Sequence, residues 1–214
     1  MPINRNARRT ALNKQGTLFY VMGASGAGKD SLLQAIRTLY PKQLLVAHRY
    51  ITRSAQAGGE NHVELSSEEF AQRTQQGLFA MSWKANGFNY ALGKEIELWL
   101  SQGLDVVVNG SRAYLEQAMM DFGYRVVPVI VDVSAEVLEA RLYARGRETP
   151  DQIVDRLARA EYYRGQCPDS GFVVDNSGSL QQTIEQFINH YSQYQSAMPR
   201  LSQHTMSINK ERLQ

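Results

Sequence analysis

Leu18-Phe19-Tyr20-Val21-Met22-Gly23-Ala24-Ser25-Gly26-Ala27-Gly28-Lys29-Asp30-Ser31 decides the fold. Leu18 to Met22 is an unbroken apolar run, which reads as a buried strand. Gly23 to Lys29 fits the pattern G-x-x-x-x-G-K. Beyond it, Leu32, Leu33, Ile36 and Leu39 fall on one face of a helix over 30–40, which Pro41 stops. Strand, glycine turn and helix in this order are what a polyphosphate site needs. The glycines let successive backbone N–H groups, including those of Ala24, Ser25 and Ala27, turn toward one point. The helix N-terminus adds its partial positive charge, and Lys29 reaches the outer phosphates. This stretch therefore predicts a cradle for a nucleotide polyphosphate such as that of ATP.

Outward from it, strands alternate with helices. Leu44 to Ala47 reads as a second short strand, and 54–61 as a loop. His62 to Leu65 reads as another strand, and Ser66 to Gln76 as a helix with a capping box made by Ser66 and Glu69. Lys94 to Gln102 is helical, ended by Gly103. Asp105 to Asn109 and Val126 to Val133 are continuous β-branched runs, as in parallel strands covered on both faces. A helix follows over 134–144. Thr149-Pro150-Asp151-Gln152 is a capping box with proline in the first helical turn, opening a helix to Arg164. Phe172 to Asp175 is a last strand, and Ser179 to Gln182 caps a final helix to Tyr191. This order predicts an α/β fold, a parallel sheet with helices on both faces.

The chain has 214 residues, 43% apolar and 21% charged, enough for one domain with a substantial core. A net charge of +2 gives no argument for a nucleic-acid or membrane partner. Cys167 is the only cysteine, so no internal disulfide forms, which fits a reducing compartment. No apolar run approaches the roughly 18 residues of a membrane span. Residues 1–16 are polar and basic and lack the apolar middle of a secretory signal. A cytoplasmic location is the expectation. The sequence leaves oligomeric state open, a homodimer included.

Two positions depart from the usual phosphate loop. The residue after the lysine is normally Ser or Thr, a Mg²⁺ ligand; here Asp30 stands, followed by Ser31. The strand over 105–109 ends in Asn109, not in an acid. Asp30, a hard oxygen donor, is expected to hold Mg²⁺ directly or through water, with Ser31 nearby. The competing reading is a carboxylate favoured by the first helical turn.

In an open parallel sheet, ligands bind beyond the carboxyl ends of the strands. The basic segments His48 to Arg53 and Asn109 to Arg112 fall there. Arg49, Arg53 and Arg112 are candidate ligands for acceptor phosphates, because guanidinium binds them bidentately. Ser82 to Tyr90 is rich in polar and aromatic groups; it reads either as a recognition segment or as a hairpin with a half-buried aromatic face. Arg145 and Arg147 flank Gly146 ahead of the capped helix that carries Arg156. These three suit a mobile segment that neutralises charge on a transferred phosphoryl group. Arg141 and Arg159 read as structural. His48 and His62 have no evident partner and no general base stands out, which favours a phosphate acceptor over an alcohol.

The order Gly23 to Lys29, Tyr50-Ile51-Thr52-Arg53, Ser67-Glu68-Glu69-Phe70, Asn89-Tyr90 and Arg145-Gly146-Arg147 resembles guanylate kinase across about 17–190. The resemblance implies a P-loop nucleoside-monophosphate-kinase-like domain over 17–191, an acceptor lobe near 48–93 with Tyr90 and Ser111 in the acceptor site, and a lid near 145–156. The tails would be 1–16 and 192–214. Where guanylate kinase carries guanine-reading carboxylates, this chain has Met81 and Ser111. A site without them argues against GMP. Gly26 to Leu33 with its unusual Asp30, Leu44 to Arg53, Asp105 to Arg112 and Arg145 to Glu148 are more similar to the ribose 1,5-bisphosphate phosphokinase family of bacterial phosphonate breakdown. That resemblance implies ATP-dependent phosphorylation of a small phosphorylated sugar, ribose 1,5-bisphosphate, to 5-phosphoribosyl 1-diphosphate, with Mg²⁺.

Overall fold

A computed structural model describes residues 15–197 apart from Gly58. In chain order its elements are β1 Leu18–Met22, α1 Lys29–Leu39, β2 Leu44–Val46, β3 Arg49–Ile51, β4 Val63–Glu64, α2 Ser67–Gln75, β5 Phe79–Ala85, β6 Phe88–Gly93, α3 Glu95–Ser101 and β7 Asp105–Asn109. They continue with α4 Leu115–Phe122, β8 Val126–Asp132, α5 Ala135–Arg145, α6 Pro150–Tyr162, β9 Phe172–Asp175 and α7 Leu180–Ala197.

The main sheet is parallel throughout, in the order β2-β7-β1-β8-β9. β1 lies at its centre and is buried on both faces. Phe19 and Val21 face a core built from α1, α5, α6 and α7, with Leu32, Ile36, Leu142, Ile153 and Phe187. Leu18, Tyr20 and Met22 face the other side, under Ile96 and Leu100 of α3 and Ala118 and Phe122 of α4. This two-sided burial is the cause of the unbroken apolar strand sequences: a strand solvated on one face would alternate.

A second sheet, β4-β3-β6-β5, rises from the region after β2. β3 and β6 are its central strands, and β6 pairs with the edge strand β5 in a hairpin turned at Asn86 and Gly87, both with positive φ. The segment 82–90 thus takes the form of a hairpin, with Trp83 stacked on Tyr90.

Several sequence expectations change in detail. The strand over 62–65 shortens to Val63–Glu64. Ser66 caps α2 by accepting from the Glu69 N–H at 3.1 Å, whereas the Glu69 carboxylate pairs with Arg73, so only half the expected box forms. The box at Thr149 is complete. α7 runs on to Ala197 instead of stopping at Tyr191, so the tail expected from 192 begins as packed helix. The reason is lateral: Tyr194 packs its ring on Phe19, and Gln195 donates to Asp105 at 2.6 Å. Gly16, assigned to the N-terminal tail, is tied in by its N–H to the Leu100 carbonyl at 2.8 Å. The basic segment with Arg5, Arg8 and Arg9, and 198–214, lie outside the described residues.

Candidate active site

The carboxyl ends of the parallel strands gather the candidate chemistry at one edge: the loop after β1, Ala47 after β2, Asn109 at the end of β7, and Asn176 after β9. The loop at 23–28 is held open by two glycines with left-handed backbone, Gly26 at φ 94° and Gly28 at φ 91°. A Cβ on Gly28 would lie 2.0 Å from Asn176 Nδ2, so the position admits no side chain. The same Nδ2 donates to the Ala27 carbonyl at 2.6 Å, while Asn176 Oδ1 accepts from the Thr183 hydroxyl at 2.8 Å. A buried carboxamide thus braces the turn from behind.

Lys29 folds back over the turn and donates to the Gly23 and Ala24 carbonyls, each at 2.9 Å. Burial pulls its ammonium down to about 8, and the charges of Arg49 and Arg112 push the same way against Asp30 and Glu60. A polyphosphate would reverse that balance. Asp30 opens α1 and accepts from Asn109 Nδ2 at 2.9 Å. Burial, and then the neighbouring Glu60 carboxylate, raise its pKa. Ser31 is exposed one position on and does not line the cavity that Asp30 lines. That cavity, about 300 Å³, runs between Asp30, Asn109, Arg37, Glu60 and Asn61.

Arg49 and Arg53 do come together, around a carboxylate absent from the sequence reading. Glu60 takes both arms of the Arg49 fork and lies 4.0 Å from Arg53. His62 holds the base of this loop, its ring nitrogens 3.1 and 3.0 Å from the carbonyls of Glu60 and Arg53. Tyr90 is buried and stacked on Trp83 at 5.9 Å and 4°, with the Arg49 guanidinium 5.0 Å from its ring centre. Arg112 packs where α6 ends: it covers the Tyr163 ring at 4.5 Å and donates to the Tyr163 carbonyl at 3.2 Å. Ser111 is locked by its backbone, whose N–H donates to the Tyr20 hydroxyl at 2.8 Å and whose carbonyl accepts from it at 2.9 Å. Gly110 makes this possible, since a Cβ there would meet the Tyr20 ring at 2.2 Å.

Met81, at the position expected to read a base, is 1% exposed and part of the apolar core beneath the sheet. It offers no acceptor for guanine N–H groups. Glu148 gathers Arg145 in a close pair and Arg156 at 3.3 Å. Arg147 is exposed and reaches toward the loop that carries Glu60, its Nη1 4.0 Å from where a Cβ on Gly59 would stand.

Four residues at this edge were not among the candidate site residues of the sequence reading. Glu60 and Asn176 carried no local motif. Asn109 was noted only for not being an acid. Arg141, read as structural, donates to the Asn176 carbonyl at 2.9 Å while its Nη1 is buried without a partner beside Gly28. The available signal was its spacing: Arg141 and Arg145 are four apart and share a helix face.

No family model matches the chain. Comparison with curated proteins finds a ribose 1,5-bisphosphate phosphokinase PhnN of Yersinia pestis, 53% identical over 169 residues, covering 79% of this chain and 88% of the relative. Those of Enterobacter lignolyticus and Klebsiella pneumoniae are 52% and 51% identical, each over 90% of the relative and 81% and 80% of this chain. Among solved structures, guanylate kinase from Anaplasma phagocytophilum superposes with a TM-score of 0.61, covering 88% of this chain and 90% of its own. At 17% identity that likeness speaks for the fold alone. The braced glycine loop, the paired arginines and the buried Met81 thus occur in a chain that matches these relatives over most of its length, and it belongs to the ribose 1,5-bisphosphate phosphokinase PhnN family.

Proposed function

We propose that this protein transfers the γ-phosphoryl group of ATP to ribose 1,5-bisphosphate, giving 5-phospho-α-D-ribose 1-diphosphate and ADP. The observation that carries the reading is the acceptor side: two arginines on one carboxylate, with a buried methionine where a base would be read. Such a site suits an acceptor recognised by its phosphates.

In this reading the backbone N–H groups of Ala24 to Lys29 and the Lys29 ammonium hold the ATP phosphates. Asp30, a carboxylate that lines the cavity, would hold Mg²⁺, which when bound would supply positive charge against the phosphates. Arg49 and Arg53 hold acceptor phosphate and Arg112 borders it. The residues 48–93 form the acceptor lobe, 145–156 the lid, and 17–191 the kinase domain. An anionic oxygen of the C1 phosphate attacks the γ-phosphorus. The bond from that phosphorus to the β–γ bridging oxygen breaks, and ADP leaves with the electron pair. No general base is required, because the attacking oxygen is already ionised at neutral pH. Arg145, Arg147 and Arg156 close over the transferred group and exclude water. The setting is cytoplasmic; no helix among the described residues is long and apolar enough to cross a membrane.

The test is product analysis after incubation with ATP, Mg²⁺ and either ribose 1,5-bisphosphate or GMP. Formation of the diphosphate from the sugar alone supports the reading. Turnover of GMP at a comparable kcat/KM would overturn it.

A further inference from the structure

The residue after a P-loop lysine is ordinarily a hydroxyl, and an acid ordinarily ends a neighbouring strand; together they hold Mg²⁺. Here the acid, Asp30, follows the lysine, and the strand β7 ends in the neutral Asn109. β1 and β7 are adjacent parallel strands, so the helix that follows β1 begins beside the carboxyl end of β7. The Asn109 Nδ2 spans them, donating to Asp30 Oδ1 at 2.9 Å. Only an amide nitrogen donates to a carboxylate, so this bond also sets which way the carboxamide points. Its Oδ1 is left buried with no partner, in a residue that is 3% exposed and lines the same cavity as Asp30.

We propose that Asp30 and Asn109 are an exchanged pair: the carboxylate of the cation site has moved to the helix and its neutral partner to the strand. The inference rests on the kinase reading above. Asp30 supplies the anionic oxygen toward the divalent cation of the nucleotide complex. Asn109 is a positioning residue that aims this carboxylate, and its Oδ1 accepts from a water of the cation's shell. The charge count explains why the exchange must be reciprocal. One carboxylate and one neutral donor satisfy each other and leave an anionic oxygen for the cation. Two carboxylates in hydrogen-bond contact repel. Two neutral groups leave a hard cation without its preferred ligand.

The experiment is calorimetric titration with ADP, in Mg²⁺ and in EDTA, beside turnover. The proteins are the natural one, Asp30→Ser, Asn109→Asp, Asn109→Ala and the double variant Asp30→Ser/Asn109→Asp. Asp30→Ser is expected to weaken only the Mg²⁺-dependent part of the affinity, by about 10–100-fold. Asn109→Ala should do the same by about tenfold, and it carries the test if Asn109→Asp does not fold. The double variant should recover most of the Mg²⁺ enhancement, because it restores the common order. Full Mg²⁺ enhancement in Asp30→Ser, or a double variant no better than Asp30→Ser, would overturn the exchange while turnover by the natural protein leaves the kinase reading standing. Absence of both turnover and Mg²⁺ enhancement in the natural protein would remove the two together.

Discussion

Glu60 closes both arms of the Arg49 fork, with the Arg49 and Glu60 side chains only 12% and 10% exposed. An internal carboxylate thus stands where the proposed acceptor phosphate has to bind. Glu60→Gln keeps the shape of the loop and removes the competing charge. The KM for the phosphorylated acceptor should fall by about tenfold, equivalent to ~1.4 kcal/mol, with the KM for ATP unchanged. Steady-state kinetics with each substrate varied in turn decides it; a raised acceptor KM would mean that Glu60 orients Arg49 without competing.

Lys29 supplies a pH prediction with a definite sign. Its pKa is lowered from about 10.5 to about 8 in the free protein, so the ammonium is lost there as pH rises past 8. Polyphosphate favours the charged form, so above pH 8 nucleotide binding should take up a proton. Affinity should then fall by up to about tenfold per pH unit toward pH 10. Folding stability moves the other way: between about 8 and 10.5 the unfolded lysine holds more proton than the folded one, so this group's penalty on the free protein lifts as pH rises. Titrations in buffers of different ionisation enthalpy measure the uptake. Lys29→Met should abolish it and lower kcat by about 10²–10³-fold.

Arg145 is paired with Glu148, whose side chain is 6% exposed and also holds Arg156. If this cluster carries the arginine that meets the transferred group, Arg145→Ala should lower kcat by about 10³-fold, with a much smaller change in either KM. Arg145→Lys should recover little, since a point charge does not replace a planar fork. Rapid-quench measurement of the first turnover would show whether the loss lies in the chemical step; an unchanged single-turnover rate would exclude this role.

Away from the site, Asp105 joins the two ends of the described fold. It accepts from the Thr17 N–H at 2.8 Å, the Tyr191 hydroxyl at 3.1 Å and the Gln195 amide at 2.6 Å, and it is 6% exposed. Burial and this carboxylate both raise the pKa of Tyr191. Asp105→Ala should cost about 3 kcal/mol and lower the melting temperature by roughly 6–12 °C. Nucleotide affinity below the transition should be unchanged. Calorimetry and a binding titration at 25 °C separate the two.

The parts of this fold written in contiguous residues were legible before the structure. β1, the glycine turn and α1 occupy one stretch, and β7 and β8 announce two-sided burial by runs of valine and isoleucine, interrupted in β8 by Pro128. The full capping box at Thr149 likewise needs only four neighbouring residues. What stayed hidden depends on pairs far apart in the chain. Asn109 meets Asp30 across 79 positions and Asn176 meets Ala27 across 149. Glu60 lies only 11 from Arg49, yet the loop between them has no periodicity to announce the pair. α4 was not read at all: its short apolar face, Ala118 and Phe122, is too brief to show a helical repeat. In the second sheet, stacked Trp83 and Tyr90 look the same in sequence whether they face a ligand or each other.

The Asp105 clasp also makes Thr17 and Gln195 neighbours in space. A circular permutant follows from that proximity. Joining residue 197 to residue 15 through a short flexible bridge, with new termini opened at the exposed Asn86-Gly87 turn, would reorder the gene while leaving all five strands of the parallel sheet beside their present partners.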